Sequence, residues 1–140
     1  MKPWTKLAEA RSPGGEPLVL QERDGLYVIR DGGRELMTSA THDSEEAMVA
    51  EGLKGLEEKA PVVLVGGLGM GFTLGAALKR LPAEARVVVA EISAAIIEWN
   101  RGILGKLAGS PLEDPRVTIE LLDVSRLLAA SSARFHAILL

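Results

Sequence analysis

Four short, mostly apolar runs, Val62–Val65, Val87–Ala90, Val117–Leu122 and Phe135–Leu140, set the rhythm of the second half of this chain. None is long enough for a stable helix. The first two are unbroken and rich in β-branched residues, which reads as strands buried on both faces, the kind found in parallel sheets. Between the runs the spacing becomes helical. One segment ends at Lys79 and Arg80, another covers Ile92–Leu107 with Ile96, Trp99, Ile103 and Leu107 on one face, and a short one covers Ser125–Ala130. Gly109, Ser110 and Pro111 stop the second of these. Strand–helix alternation from Pro61 onward predicts an α/β unit built on a parallel sheet. At helical spacing, Trp99 reads as a core residue and not as a stacking platform.

Upstream the pattern differs. Residues 1–17, punctuated by Pro3, Pro13, Gly14, Gly15 and Pro17, read as a loosely structured lead-in. Leu18–Leu20, Leu26–Arg30 and Glu35–Met37 read as strands of a small antiparallel unit, joined by turns at Asp24-Gly25 and Asp31-Gly32-Gly33. Thr41 to Glu46 then opens a helix, with Asp43 and Glu46 at capping-box spacing and Val49, Leu53, Leu56 and Ala60 along one face. Its acidic start has two readings: a cap with solvated charge favoured by the helix dipole, or an acidic patch facing a cationic substrate. Residues 1–60 thus form a lead-in, hairpin unit and helix, and residues 61–140 a Rossmann-like nucleoside-binding domain with its first four strands.

The join between the first buried strand and its helix carries the candidate chemistry. Gly66, Gly67, Gly69 and Gly71 follow Val65 directly. A strand, a glycine turn and a helix bring backbone N–H groups and a helix N-terminus against a polar ligand. The dinucleotide fingerprint G-x-G-x-x-G would need a glycine at Phe72; the spacing here is G-x-G-x-G over Gly67, Gly69 and Gly71, which suits a ligand without a pyrophosphate. Glu91 ends the second buried strand 24 residues after Gly67. An acid at that strand tip accepts hydrogen bonds from both hydroxyls of a ribose. Asp123 ends the third strand on the same edge of the sheet. Both acids are expected to border an open cleft, so that their replacement would change stability little. His136 reads as a plain strand residue, and no metal site is expected.

Composition narrows the function classes. The 140 residues bury one real core, and 47% hydrophobic with 25% charged residues marks a globular chain. A net charge of −3 gives no long-range attraction for nucleic acid or an anionic membrane. Without cysteine there are no disulfides and no thiol nucleophile. The N-terminus lacks the apolar centre of a signal peptide, and no apolar run approaches ~18 residues, so a cytoplasmic location is expected. In a doubly wound half with strand order 3-2-1-4 the final strand lies on an open edge. A hydrophobic edge needs cover, which implies either further chain or a partner, with a homodimer the expected assembly.

These residues resemble the spermidine synthase (polyamine aminopropyltransferase) family, which has the class I S-adenosylmethionine-dependent methyltransferase-like fold, from about Leu18 to the end. Asp24 to Met37 is similar to the family's N-terminal strand domain. Glu91-Ile92-Ser93 resembles its Glu-Ile-Asp, Asp114-Pro115-Arg116-Val117 its Asp-Pro-Arg-Val, and Phe135 to Leu140 the strand that precedes its catalytic Asp. The resemblance implies that Glu91 holds the ribose hydroxyls and Asp123 reads the adenine amino group. The implied nucleoside site comprises Gly67, Leu68, Gly69, Met70, Gly71, Glu91, Ile92, Asp123 and Val124, with the catalytic base just after Leu140. The chain departs from the family at Met70, where an Asp usually contacts the aminopropyl amine, and at Ser93. The family's Tyr-His-Glu of the polyamine site is only echoed by His42, Asp43, Ser44 and Glu45, so His42 and Glu45 are the candidate substrate residues.

The implied function is a transferase that binds S-adenosylmethionine or its decarboxylated form and moves an aminopropyl group to a small amine, with a polyamine as one candidate substrate. The alternatives are methyl transfer from S-adenosylmethionine to another acceptor, which Met70 favours, and a non-catalytic adenosine-binding relative.

Overall fold

The computed structural model of the protein describes residues 2–40, 42–130 and 135–140; Thr41, expected at a helix opening, lies outside them. Contacts divide the chain into two units, Met1–His42 and Asp43–Leu140.

The first unit is an antiparallel meander of four strands, β1 (Thr5–Arg11), β2 (Pro17–Arg23), β3 (Leu26–Asp31) and β4 (Arg34–Thr38), in that spatial order. Leu18, Leu20, Val28 and Ile29 are its buried centre. Asp24 and Gly25 both take positive φ, as do Gly32 and Gly33, the turn chemistry that matches strand twist in two-residue hairpins. The lead-in expected over residues 1–17 is instead β1 and a hairpin turn. Arg11 pairs with Pro17, and Ser12 N donates to Glu16 O at 2.8 Å while Gly15 N donates to Ser12 O. The Pro-Gly cluster punctuates a turn, and β1 escapes apolar pattern-reading because it is a largely exposed edge strand.

The second unit comprises α1 (Asp43–Gly52), β5 (Val62–Gly66), α2 (Phe72–Arg80), β6 (Arg86–Glu91), α3 (Ala94–Arg101), β7 (Val117–Leu121), α4 (Val124–Ala130) and β8 (Ala137–Leu139), with 3-10 turns at Gly105–Ala108 and Pro111–Glu113. The sheet order is β7-β6-β5-β8 and every pairing is parallel. This is the expected 3-2-1-4 order, with all carboxyl ends on one edge. Val63, Leu64, Val65, Val87 and Val89 are buried at the sheet centre, as unbroken apolar runs in a parallel sheet should be.

Three elements are shorter than the sequence suggests. The helix expected over Ile92–Leu107 stops at Arg101, because Gly102 leaves helical geometry at φ −120° and ψ −104°. Leu104 N then donates to Trp99 O, and Leu104 enters the core at 0% exposure while Ile103 is left outside. Trp99 is buried, as expected. α1 stops at Gly52, so of its expected stripe only Val49 is a buried helical residue. His136 lies one residue before β8: its Nδ1 accepts from Val62 N at 2.9 Å and its own N–H donates to Val62 O at 2.8 Å, which ties β8 to the start of β5.

Asp114 and Arg116 have a structural job. Arg116 Nη2 and Nε donate to the Asp114 carboxylate at 2.7 and 2.9 Å, and Nη1 donates to Leu81 O at 2.9 Å, joining the start of β7 to the end of α2. The Arg116 guanidinium holds the Asp114 carboxyl below the usual carboxylate range. Arg116→Ala should cost about 1–2 kcal/mol in urea unfolding at neutral pH. A carboxyl whose folded pKa is depressed stabilises above its unfolded pKa and loses that contribution as pH falls through the folded value. Wild type and variant should therefore converge in strong acid; an equal gap at all pH values would discount the pair.

Candidate functional site

The turn after β5 is built by its neighbours. Gly67, Gly69 and Gly71 all have positive φ, at 91°, 55° and 84°. Gly67 N donates to Ala90 O at 2.7 Å and Gly71 N to Leu68 O at 2.9 Å. Leu68 N donates to Glu91 Oε1 at 2.8 Å. These bonds leave the Gly69 and Met70 amides without a partner among the described residues. The turn feeds α2, whose N-cap Gly71 gives no side-chain cap and whose first turn carries no acid. Backbone donors at a bare helix start favour a polar, electron-rich ligand group. Met70 is 4% exposed, so its side chain is buried.

Glu91 corrects one expectation. It does not stand free at an open cleft: it is 6% exposed, with Oε1 on Leu68 N and Oε2 on Ser93 N at 2.9 Å. One carboxylate thereby holds the glycine turn to the loop after β6. Each oxygen still keeps lone-pair capacity for a hydroxyl. Ile92, next along, is 52% exposed and offers an apolar surface at the same edge. Ser93, where the resembling family carries a second acid, caps α3 by accepting from Ile96 N.

Asp123 follows β7, in which Leu121 pairs with Glu91. Its carbonyl accepts from Arg126 N and Leu127 N, so it opens α4 with Val124 as the first helical residue. Oδ1 accepts from Ser125 N at 2.8 Å and Ser125 Oγ at 2.6 Å, bonds that hold its carboxyl below the usual carboxylate range. Oδ2 has no partner among the described residues.

The structure brings Gly67–Gly71, Glu91, Ile92, Asp123 and Val124 to one sheet edge. It treats the substrate candidates differently. Glu45 lies in the first turn of α1, half-buried, with Oε2 accepting from Ser44 Oγ at 3.0 Å; its neighbour Glu46 is 4.0 Å from Lys79 in the last turn of α2. His42 closes the first unit. Sequence reading missed Asn100, whose signal was a polar residue four places after Ile96 on a buried helix face; its Nδ2 donates to Gly69 O at 2.7 Å.

No protein-family model matches this chain, and no curated protein matches it in sequence. Solved structures do. A spermidine synthase in complex with the transition-state analogue AdoDATO superposes with a TM-score of 0.75 at 21% identity, over 95% of this chain and 46% of that one. The spermidine synthase from Thermotoga maritima gives 0.75 at 22% identity over the same shares. A protein assigned as an O-methyltransferase from Klebsiella pneumoniae gives 0.52 at 21% identity, over 69% and 42%. At such identities the likeness establishes the fold, which is methyltransferase-like α/β. The chain spans about half the length of these structures. Among the described residues no helix is long and apolar enough to cross a membrane.

Proposed function

We propose that this chain holds the adenosine part of a sulfonium ligand, S-adenosylmethionine or its decarboxylated form, in a transferase that is similar to spermidine synthase. The observation that carries the reading is the Glu91 carboxylate, 2.8 Å from Leu68 N inside the glycine turn. In this reading the remaining lone pairs of Glu91 accept the two ribose hydroxyls, Ile92 covers the sugar and base, Asp123 Oδ2 accepts the adenine amine, and the Gly69 and Met70 amides face the ligand's tail.

A positive sulfur makes its attached carbons electrophilic. An amine lone pair attacks one of them in line, the carbon–sulfur electrons return to sulfur as a neutral thioether, and a base takes the proton of the new ammonium. Catalysis is then mainly orientation and proton removal. The groups supplied by this chain bind and orient; the base is not among them in this reading. With a small amine as acceptor the reaction is aminopropyl transfer.

Methyl transfer is the second reading, and one feature favours it. A decarboxylated ligand ends in a cation that wants an acid nearby, yet Met70 is buried and α2 has no acid in its first turn. Calorimetry with 5′-methylthioadenosine, S-adenosylmethionine and decarboxylated S-adenosylmethionine tests both. S-adenosylmethionine or methylthioadenosine should bind at least as tightly as the decarboxylated compound. A marked preference for the latter would establish the aminopropyl reading over the methyl one, and absence of binding by all three would overturn the adenosine site itself.

A further inference from the structure

Asn100 is 3% exposed near the end of α3. Its Nδ2 donates to two carbonyls, Ile96 O at 2.9 Å within its own helix and Gly69 O at 2.7 Å in the glycine turn. Two acceptors claim both amide protons, which fixes the side chain with Oδ1 turned the other way. Oδ1 is buried without a partner, and a Cβ placed on Gly71 would lie 3.2 Å from it. A buried unpartnered oxygen costs free energy, so something must offset it.

We infer that Asn100 is a positioning residue that holds the Gly67–Gly71 turn in its ligand-ready shape before any ligand arrives. The geometry gives the offset. Gly69 O is anchored to α3, while Glu91 anchors Leu68 N from β6. The turn is thus held on both sides of a single residue pair, Leu68 and Gly69, and the Gly69 and Met70 amides have no partner among the described residues. A turn fixed in advance loses less freedom on binding. The ligand clause of this inference rests on the adenosine reading above; the anchoring clause does not.

Hydrogen exchange on the ligand-free protein tests the anchor. In the unmodified chain the Asn100 Nδ2 protons should exchange slowly, as protons in two buried hydrogen bonds do; fast exchange would overturn the inference without any variant. Asn100→Leu keeps the branched shape with somewhat greater bulk and removes the donors, and Asn100→Ala removes both shape and donors. In each, the Leu68 and Gly71 amides should exchange about tenfold faster while Val63–Val65 amides stay unchanged. Faster exchange throughout the unit, or restoration by Leu but not Ala, would mean packing alone and overturn the role. In the same variants methylthioadenosine affinity should fall by about five- to tenfold. If wild type binds no adenosine compound, the proposed function fails while the exchange result still decides the anchor.

Discussion

Glu91→Ala should lower the stability of the Asp43–Leu140 unit by about 3 kcal/mol and weaken methylthioadenosine binding by roughly 10- to 100-fold. The stability loss follows from the two backbone donors it would strand, Leu68 N and Ser93 N, at a site where the carboxylate is 6% exposed. Leaving a buried donor unsatisfied costs about 1–3 kcal/mol each. The melting temperature should drop by on the order of 10 °C. The binding loss has a different origin, the ribose hydroxyls left without their acceptor. Glu91→Gln separates the two: its single carbonyl can keep one of the backbone bonds, but its amide nitrogen meets the other N–H donor-to-donor. It should fall between wild type and Ala in melting while binding nearly as poorly as Ala. An unchanged melt for Glu91→Ala would deny the tie to the glycine turn. Intact binding, measured well below the melt, would deny the ribose role.

Glu91 also marks where sequence reading ends. Its place at a strand tip was legible because an unbroken β-branched run ends in an acid. Its burial was not, because the donors that use it, Leu68 and Ser93, belong to backbone that the pattern describes only as loops. The parallel sheet and its order were readable for a plain reason: runs buried on both faces have one stable home, between helices. β1 was hidden by the converse, since an exposed edge strand has no apolar face to display. The overlong helix at Ile92–Leu107 came from trusting a stripe across Gly102, where Ile103 and Leu104 exchange places between core and solvent. Asn100 is not legible in the same stripe, because an apolar periodicity gives no weight to a polar residue four places after Ile96 whose partner, Gly69 O, lies 31 residues away.

Two glycines of the same turn should respond in opposite ways. Gly67 and Gly71 share a positive φ, 91° and 84°, so alanine at either carries the left-handed penalty of about 1–2 kcal/mol. Their surroundings differ. A Cβ on Gly67 meets nothing within 4 Å, and the residue is exposed at the carboxyl edge of the sheet. On Gly71 it would lie 3.2 Å from both Asn100 Oδ1 and Pro111 Cγ and 3.6 Å from Ala108 Cβ. Crowding a packed site adds about 1–3 kcal/mol. Gly71→Ala should therefore lose about 3 kcal/mol of stability in urea unfolding, against about 1 kcal/mol for Gly67→Ala. Ligand affinity should reverse that order among the folded molecules. The open space around Gly67 is the space a close-lying nucleoside tail needs, and filling it with a methyl group should weaken methylthioadenosine binding by roughly tenfold. Gly71 lies beneath the turn against Pro111, so its alanine variant should bind with a smaller deficit once unfolding is accounted for. Should Gly67→Ala bind like wild type while Gly71→Ala does not, the ligand would lie on the α2 side of the turn and the contacts assigned to Gly69 and Met70 would have to be redrawn.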